Sequence, residues 1–340
     1  MAQRQVEVVT LPLHMRAAVY RRYGPPEVVS VREVPTPVPG PNDLLIRVRA
    51  TTVTSADWRL RSLSIPYGFG FISRLAFGLT APRQPILGSE LAGDVVAVGT
   101  AVRTFAVGDA VIASAGTKLG AHAEFCCIAA DGVVVRKPQN LTYESAAALP
   151  FGGTTALDFF RRGELRSGQR VLINGASGTV GSTMLQVAMA AGAEVTAVCS
   201  GANAALMTGL GAARVVDYTT TDFVAEGIHY DLIADTVGNA PYARVRDALT
   251  PRGKHLAVLA TLPEMLRAPW VRLTSTHRSV VGPVAERVDD LRTVVSMAEA
   301  GIVRPLIDRC LPLNEIVAAH ARVESGRKRG SVVLTVDGEG

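Results

Sequence analysis

Short apolar runs recur along the chain in two different rhythms. Between residue 15 and about 138 the runs at 16–20, 28–34, 44–52, 93–98, 110–114 and 123–129 are strand-like. They are broken by proline and glycine, with Pro35, Pro37, Pro39 and Pro41 crowded into one joint. Strand-sized runs with turn residues at every joint predict a small antiparallel barrel. In the middle of the chain the rhythm changes. Runs at 171–173, 194–199, 214–217, 231–235 and 255–260 alternate with helical patterns at 184–191, 204–210 and 242–249. Runs such as LIAD and LAVLA, punctuated by Gly211, Gly238 and Gly253, are apolar throughout, which suits parallel strands buried on both faces. The second pattern therefore predicts a doubly wound α/β domain. A helical stretch at 313–325 and a last β run at 331–336 close the chain and can return to the first domain.

The most informative stretch is VLINGASGTVG, residues 171–181. A strand enters a glycine turn, and a helix leaves it. In that context Gly175, Ala176, Ser177, Gly178, Thr179, Val180 and Gly181 predict a dinucleotide-phosphate loop. Glycines let the backbone approach a pyrophosphate, and the helix aims unpaired N–H groups and its positive dipole end at the charge. The bland alternative is a tight strand-to-helix turn without a ligand. The next strand begins at the distance a βαβ unit requires.

Composition narrows the classes. Of 340 residues, 48% are hydrophobic and 19% charged, which describes a folded globular protein. The net charge of +5 is modest and scattered, which argues against a nucleic-acid partner. No apolar run reaches the roughly 18 residues that would cross a membrane. Residues 1–14 hold no signal-peptide core. Four cysteines, with Cys126 and Cys127 adjacent, make no disulfide framework, so a reducing, cytoplasmic setting is expected.

Several segments carry a family resemblance. YGPPEVVSVREVPTPVPGPNDLLIRVRATTV, LGSELAGDVVAVGTAV, FAVGDAV, GASGTVG and GSVVLTV resemble the medium-chain dehydrogenase/reductase superfamily, and within it the zinc-free NADPH:quinone oxidoreductase branch. The likeness runs from about residue 15 to residue 336. It implies an N-terminal extension at 1–14, a GroES-like β-barrel catalytic domain from 15–145 and 312–340, and a Rossmann domain with a doubly wound parallel sheet at 146–311. It also implies an active site in the cleft between them and a homodimer formed through an edge strand.

Zinc-dependent relatives supply a cysteine, a histidine and a third ligand from three places. At the corresponding positions stand Thr54, Ser89 of Gly88-Ser89-Glu90, and the ligand-free stretch 151–153. No metal is expected. Without a Lewis acid an alkoxide loses its stabiliser, whereas an electron-poor acceptor needs only hydrogen bonds for its developing charge. The expected activity is NAD(P)H-dependent reduction of a small hydrophobic quinone or similar activated carbonyl. Enoyl or 2-alkenal reduction and a non-catalytic NADPH-binding role stay open.

The second parallel run ends Val198-Cys199-Ser200-Gly201 with no acid to bind a ribose 2′-hydroxyl, so NADPH is favoured and NADH remains possible. By resemblance, Ser200 and Tyr218 sit at the 2′-phosphate, with Asn203 where relatives have a lysine. Arg327, in the run Arg327-Lys328-Arg329, is a candidate for the missing charge or a solvated loop. Thr155, Thr236, Val237 and Leu259 are further cofactor candidates. On the acceptor side, Thr54 is a candidate donor and Tyr67 a candidate proton source. Trp58, Phe69 and Phe71 are candidate substrate contacts. The aromatic stretch 64–85 is either an apolar lid or a surface helix at 71–79 packed on the barrel. His122 and His255 lie in strand-like runs and read as core histidines.

Overall fold

A computed structural model describes residues 11–336. Residues 1–10 and 337–340, and with them most of the expected N-terminal extension, lie outside the described residues. The first third alternates because one face of each strand is buried. β1 (His14–Tyr20) pairs antiparallel with β2 (Val29–Pro35). β3 (Asp43–Val53) is followed by two helices, α1 (Ser55–Ser62) and α2 (Gly70–Phe77). Then come β4 (Glu90–Val98), β5 (Ala110–Ser114), β6 (Phe125–Ala129) and β7 (Val134–Arg136). β3 is long enough to pair with β6 at one end and with the C-terminal strand at the other. Leu44, Ile46, Val48, Leu91, Val111 and Leu334 fill the interior of this antiparallel sheet.

Two helices, α3 (Tyr143–Ala147) and α4 (Pro150–Gly163), carry the chain into the second sheet. There follow β8 (Arg170–Asn174), α5 (Thr179–Ala190), β9 (Glu194–Cys199), α6 (Ala204–Gly209) and β10 (Arg214–Asp217). The other half comprises β11 (Tyr230–Asp235), α7 (Tyr242–Val245), β12 (Leu249–Ala257), α8 (Leu262–Thr274), β13 (Arg278–Val280) and α9 (Val288–Glu299). The six strands are all parallel in the order β10-β9-β8-β11-β12-β13. Strand order reverses between β8 and β11, and a crevice opens at their carboxyl ends, where ligands of such sheets bind.

The chain then returns. β14 (Ile307–Pro312), α10 (Ile316–Glu324) and β15 (Ser331–Thr335) rejoin the first sheet, with β15 antiparallel to β3. The expected α/β architecture of a barrel-type sheet plus a doubly wound parallel sheet is thus present. Two expected elements differ. The helix at 242–249 is only α7 and a short 3-10 turn at Arg246–Ala248. The strand expected at 255–260 is β12, which starts earlier and ends at Ala257, because a bulge opposite Tyr230 absorbs Pro251 and Gly253.

Candidate functional site

Beyond Asn174 the backbone turns on Gly175, whose φ of 81° is a left-handed value. A Cβ there would come within 2.5 Å of Val237. A Cβ on Gly181 would collide with the carbonyl oxygen of Gly175, so the loop closes only on glycine. Gly178 precedes α5 and contributes no side-chain cap. Gly178 is bridged to Gly330 of the return loop, which engages the Thr179 amide, and the amides of Val180 and Gly181 that follow are left for an outside acceptor, of which an anion is the natural one.

The C-terminal return locks onto this loop. Gly330 N–H donates to Ser177 O at 2.8 Å, and Thr179 Oγ1 donates to Gly330 O at 2.9 Å. Lys328 Nζ donates to Thr179 Oγ1 at 2.8 Å and to Gly330 O at 2.6 Å. Lys328 is half-buried, with its ammonium desolvated. Burial pushes its pKa down to about 8, only partly offset by the carboxylates of Asp308 and Glu90.

A cleft of about 780 Å³ runs from this loop to the catalytic sheet. Its walls are the glycine loop, the ends of β8, β9 and β11, the return loop, Ser55, Trp58 and Arg59 of α1, and Phe151 of α4. Arg59, Arg327, Lys328 and Arg329 line it, and no lining residue is acidic. The Arg59 guanidinium lies 4.8 Å from the Trp58 ring centroid and donates to Ser64 O at 3.0 Å. Burial lowers its pKa. At the other end, Asn203 Nδ2 donates to Ser177 Oγ at 3.1 Å and to Ser200 Oγ at 3.2 Å, tying the glycine loop to the end of β9. Its Oδ1 is buried without a partner. Behind the glycine loop, Asp235 accepts from the N–H groups of Val237, Gly238 and Ala240 and from Asn174 Nδ2, which fixes the strand ends rigidly.

Of the residues singled out in the sequence, Gly175, Ser177, Gly178, Thr179, Val180, Ser200, Asn203, Tyr218, Thr236, Val237, Arg327 and Trp58 line one cleft. Ala176, Gly181 and Thr155 stand behind its wall, and half-buried Leu259 is not on it. The acceptor-side candidates, Trp58 apart, are not brought to the cleft. Thr54 caps α1: its hydroxyl donates to Asp57 Oδ2 at 2.6 Å and accepts from Asp57 N–H, so its proton is already committed. Tyr67 is 79% exposed and, with Phe69 and Phe71, stays off the cleft. The segment is drawn elsewhere, because Leu262 N–H donates to Tyr67 O at 3.0 Å and Gly68 abuts Leu262. No residue of stretch 64–85 lines the cleft, and within it α2 is a surface helix that buries none of its residues. Arg59, Phe151, Asn174 and Asn239 were not foreseen. Only Asn174, at a strand end, carried a signal for it.

Glu90, at the start of β4, is buried. It accepts the Thr52 hydroxyl on Oε1 and Phe151 N–H on Oε2 at 2.6 Å. Burial outweighs those two donors and pushes its pKa up to about 8. Zinc does not fit the residues here. Thr54 and Ser89 offer only hydroxyls, and among the described residues no three His, Cys, Asp or Glu side chains converge on a metal position.

Residues 40–139 match the family described as alcohol dehydrogenase GroES-like domain, and residues 210–334 one described as zinc-binding dehydrogenase. The chain is 31% identical over 371 residues to a mitochondrial NAD(P)H oxidoreductase of Mus musculus, covering 95% of this chain and 89% of that protein. It is 27% identical over 337 residues to the chloroplast envelope quinone oxidoreductase homolog of Arabidopsis thaliana, covering 94% and 98%. Among solved structures, the quinone oxidoreductase from Coxiella burnetii superposes with a TM-score of 0.85 at 28% identity, covering 95% of this chain and 100% of that one.

Proposed function

The chain belongs to the medium-chain dehydrogenase/reductase superfamily, and from that membership we propose that it is a zinc-independent, NADPH-dependent reductase of quinones and similar activated carbonyl acceptors. One observation carries this reading: Lys328 is hydrogen-bonded to Thr179 at the start of α5, beside the glycine loop, in a cleft lined by four basic side chains and no acid. A bound reduced nicotinamide dinucleotide supplies the hydride. The amides of α5 and the Lys328 ammonium hold its pyrophosphate. Ser200, Asn203, Tyr218 and Arg327 all line the cleft and none of them repels a 2′-phosphate, which supports NADPH over NADH. Trp58 and Phe151 offer flat walls for an acceptor, and Arg59 is a donor for its oxygen. The hydroxyl donor role expected of Thr54 passes to these groups.

The free edge of β13 supports a homodimer that continues the parallel sheet. The four cysteines are free, consistent with a reducing compartment such as the cytoplasm. The test is steady-state oxidation of NADPH and NADH against soluble quinones, enones and aldehydes, with a chelator present. The expected result is turnover with quinones and a lower KM for NADPH. Activity that appears only with added zinc, or only with alcohols and NAD, would overturn the proposal.

A further inference from the structure

The loop that meets the start of α5 has little within its own sequence to hold it still. Arg327, Lys328 and Arg329 stand in a row between Gly326 and Gly330, whose φ values of 66° and 70° are left-handed. Adjacent cations repel one another, and glycine at both ends leaves the backbone free to turn. Yet Lys328 Nζ is fixed within hydrogen-bond reach of both Thr179 Oγ1 and Gly330 O. Part of the restraint must come from outside the loop.

Asp308 supplies it, on both sides of Lys328. β14 and β15 run parallel, but their register skips between Ile307, opposite Ser331, and Arg309, opposite Val332. Asp308 falls in the skip without a partner across the ladder, and an irregularity of this kind re-aims a side chain. Its carboxylate, only 5% exposed, accepts the Arg329 N–H on Oδ1 at 2.9 Å. It also takes Arg322 of α10 in a two-pronged pair, Nη2 on Oδ1 at 2.7 Å and Nε on Oδ2 at 2.8 Å. The same Nη2 donates to Arg327 O at 2.9 Å. The backbone before Lys328 is thus tied to one carboxylate through Arg322, and the backbone after it directly. A paired guanidinium and carboxylate fix direction as well as distance. Burial would raise the Asp308 pKa, but hydrogen bonds from Arg322, the Arg329 amide and Arg309 outweigh it and hold the carboxyl below its ordinary range. Neither Asp308 nor Arg322 lines the cleft, so both act through the loop.

We propose that Asp308 is a positioning residue for the cofactor, its carboxylate holding the loop so that Lys328 stands ready at the pyrophosphate. The proposal rests on the reading above, in which this loop and α5 bind the dinucleotide. A loop ordered beforehand spares the cost of ordering it at binding, which raises affinity and leaves the hydride step alone.

The experiment is isothermal titration of the full chain with NADPH, followed by steady-state turnover with a soluble quinone. Asp308→Asn and Arg322→Gln should each weaken NADPH binding and raise its KM by about tenfold, the loss expected for hydrogen bonds to a charged group, with kcat changed by less than about twofold. Arg322→Lys keeps the charge but loses the fork, and should behave like Arg322→Gln. Arg309→Gln is the control. Its Nε donates to the same carboxylate at 3.1 Å but holds no part of the loop, so this variant should bind like wild type. Circular dichroism establishes that each variant is folded, and the Arg322 variants carry the test if Asp308→Asn is not. Wild-type protein that binds no NADPH would sink the function proposed above and this role with it. Wild type that binds, with Asp308→Asn and Arg322→Gln binding equally tightly, would overturn the positioning role alone. So would a fall in kcat at unchanged KM, or an Arg309→Gln variant as impaired as Asp308→Asn.

Discussion

Lys328 donates to the hydroxyl oxygen of Thr179 across 2.8 Å, which sets a desolvated ammonium at the first residue of α5. The helix start and the cation act on the same point, and Asp308 and Glu90 influence Lys328 only from beyond ion-pair contact. Lys328→Met should weaken NADPH binding by about tenfold or more, as for loss of a hydrogen bond to a charged group. In the free protein the amine titrates near pH 8, so affinity should fall as pH rises through about 8 in wild type and stay flatter in the variant. Isothermal titration across pH checks both; equal affinities and slopes would contradict the assignment.

Glu90 is a buried acid behind the cleft, holding the backbone of the lining residue Phe151. Its folded pKa of about 8 lies above the ordinary 4.5, so the folded state holds the proton more tightly. The associated stability is full below 4.5 and is lost as pH rises through about 8. Glu90→Gln keeps the shape and cannot ionise. Denaturant unfolding should find it increasingly more stable than wild type as pH rises, by up to ~1.4 kcal/mol per pH unit across that interval.

His320 and His122 pack edge to face at 6.0 Å between ring centroids. Both ring nitrogens of His320 lack partners, and burial, His122 and Arg61 all hold its pKa well below 6.5. The unfolded chain takes up the proton first. The stability His320 confers is therefore present above 6.5 and declines as pH falls below it. His320→Leu should lower the pH of acid unfolding, read by circular dichroism. An unchanged acid midpoint would show that the pair is not the weak point.

Thr54→Ala should cost about 1 kcal/mol of stability through loss of the α1 cap, and Thr54→Ser should restore it. Turnover should fall little once the protein is folded, because the hydroxyl proton already belongs to Asp57. A hundredfold loss of kcat without a change in Tm would return Thr54 to the acceptor site.

What was legible in the sequence was local. The strand rhythms, the glycine turn and α5 depend on neighbours a few residues away, and each was readable from period and spacing. The cation at the phosphate end was not, since Lys328 meets Thr179 only after the return of β15 to β3. Aromatic residues at 67–71 suggested a substrate wall, but composition does not say which way a segment folds, and Gly68 packs against Leu262 instead. Thr54 carried two competing meanings, donor and helix cap; Asp57 three residues on was the signal for the second. β13 is only three residues long, too short for any pattern.

The most direct test of the account is a single turnover. Chelator-treated protein, loaded with one equivalent of NADPH, is mixed with a soluble quinone while the absorbance of the reduced nicotinamide is followed. The account predicts complete, stoichiometric loss of that absorbance with no metal added. Persistence of the signal with every quinone, or its loss only after zinc is restored, would contradict it.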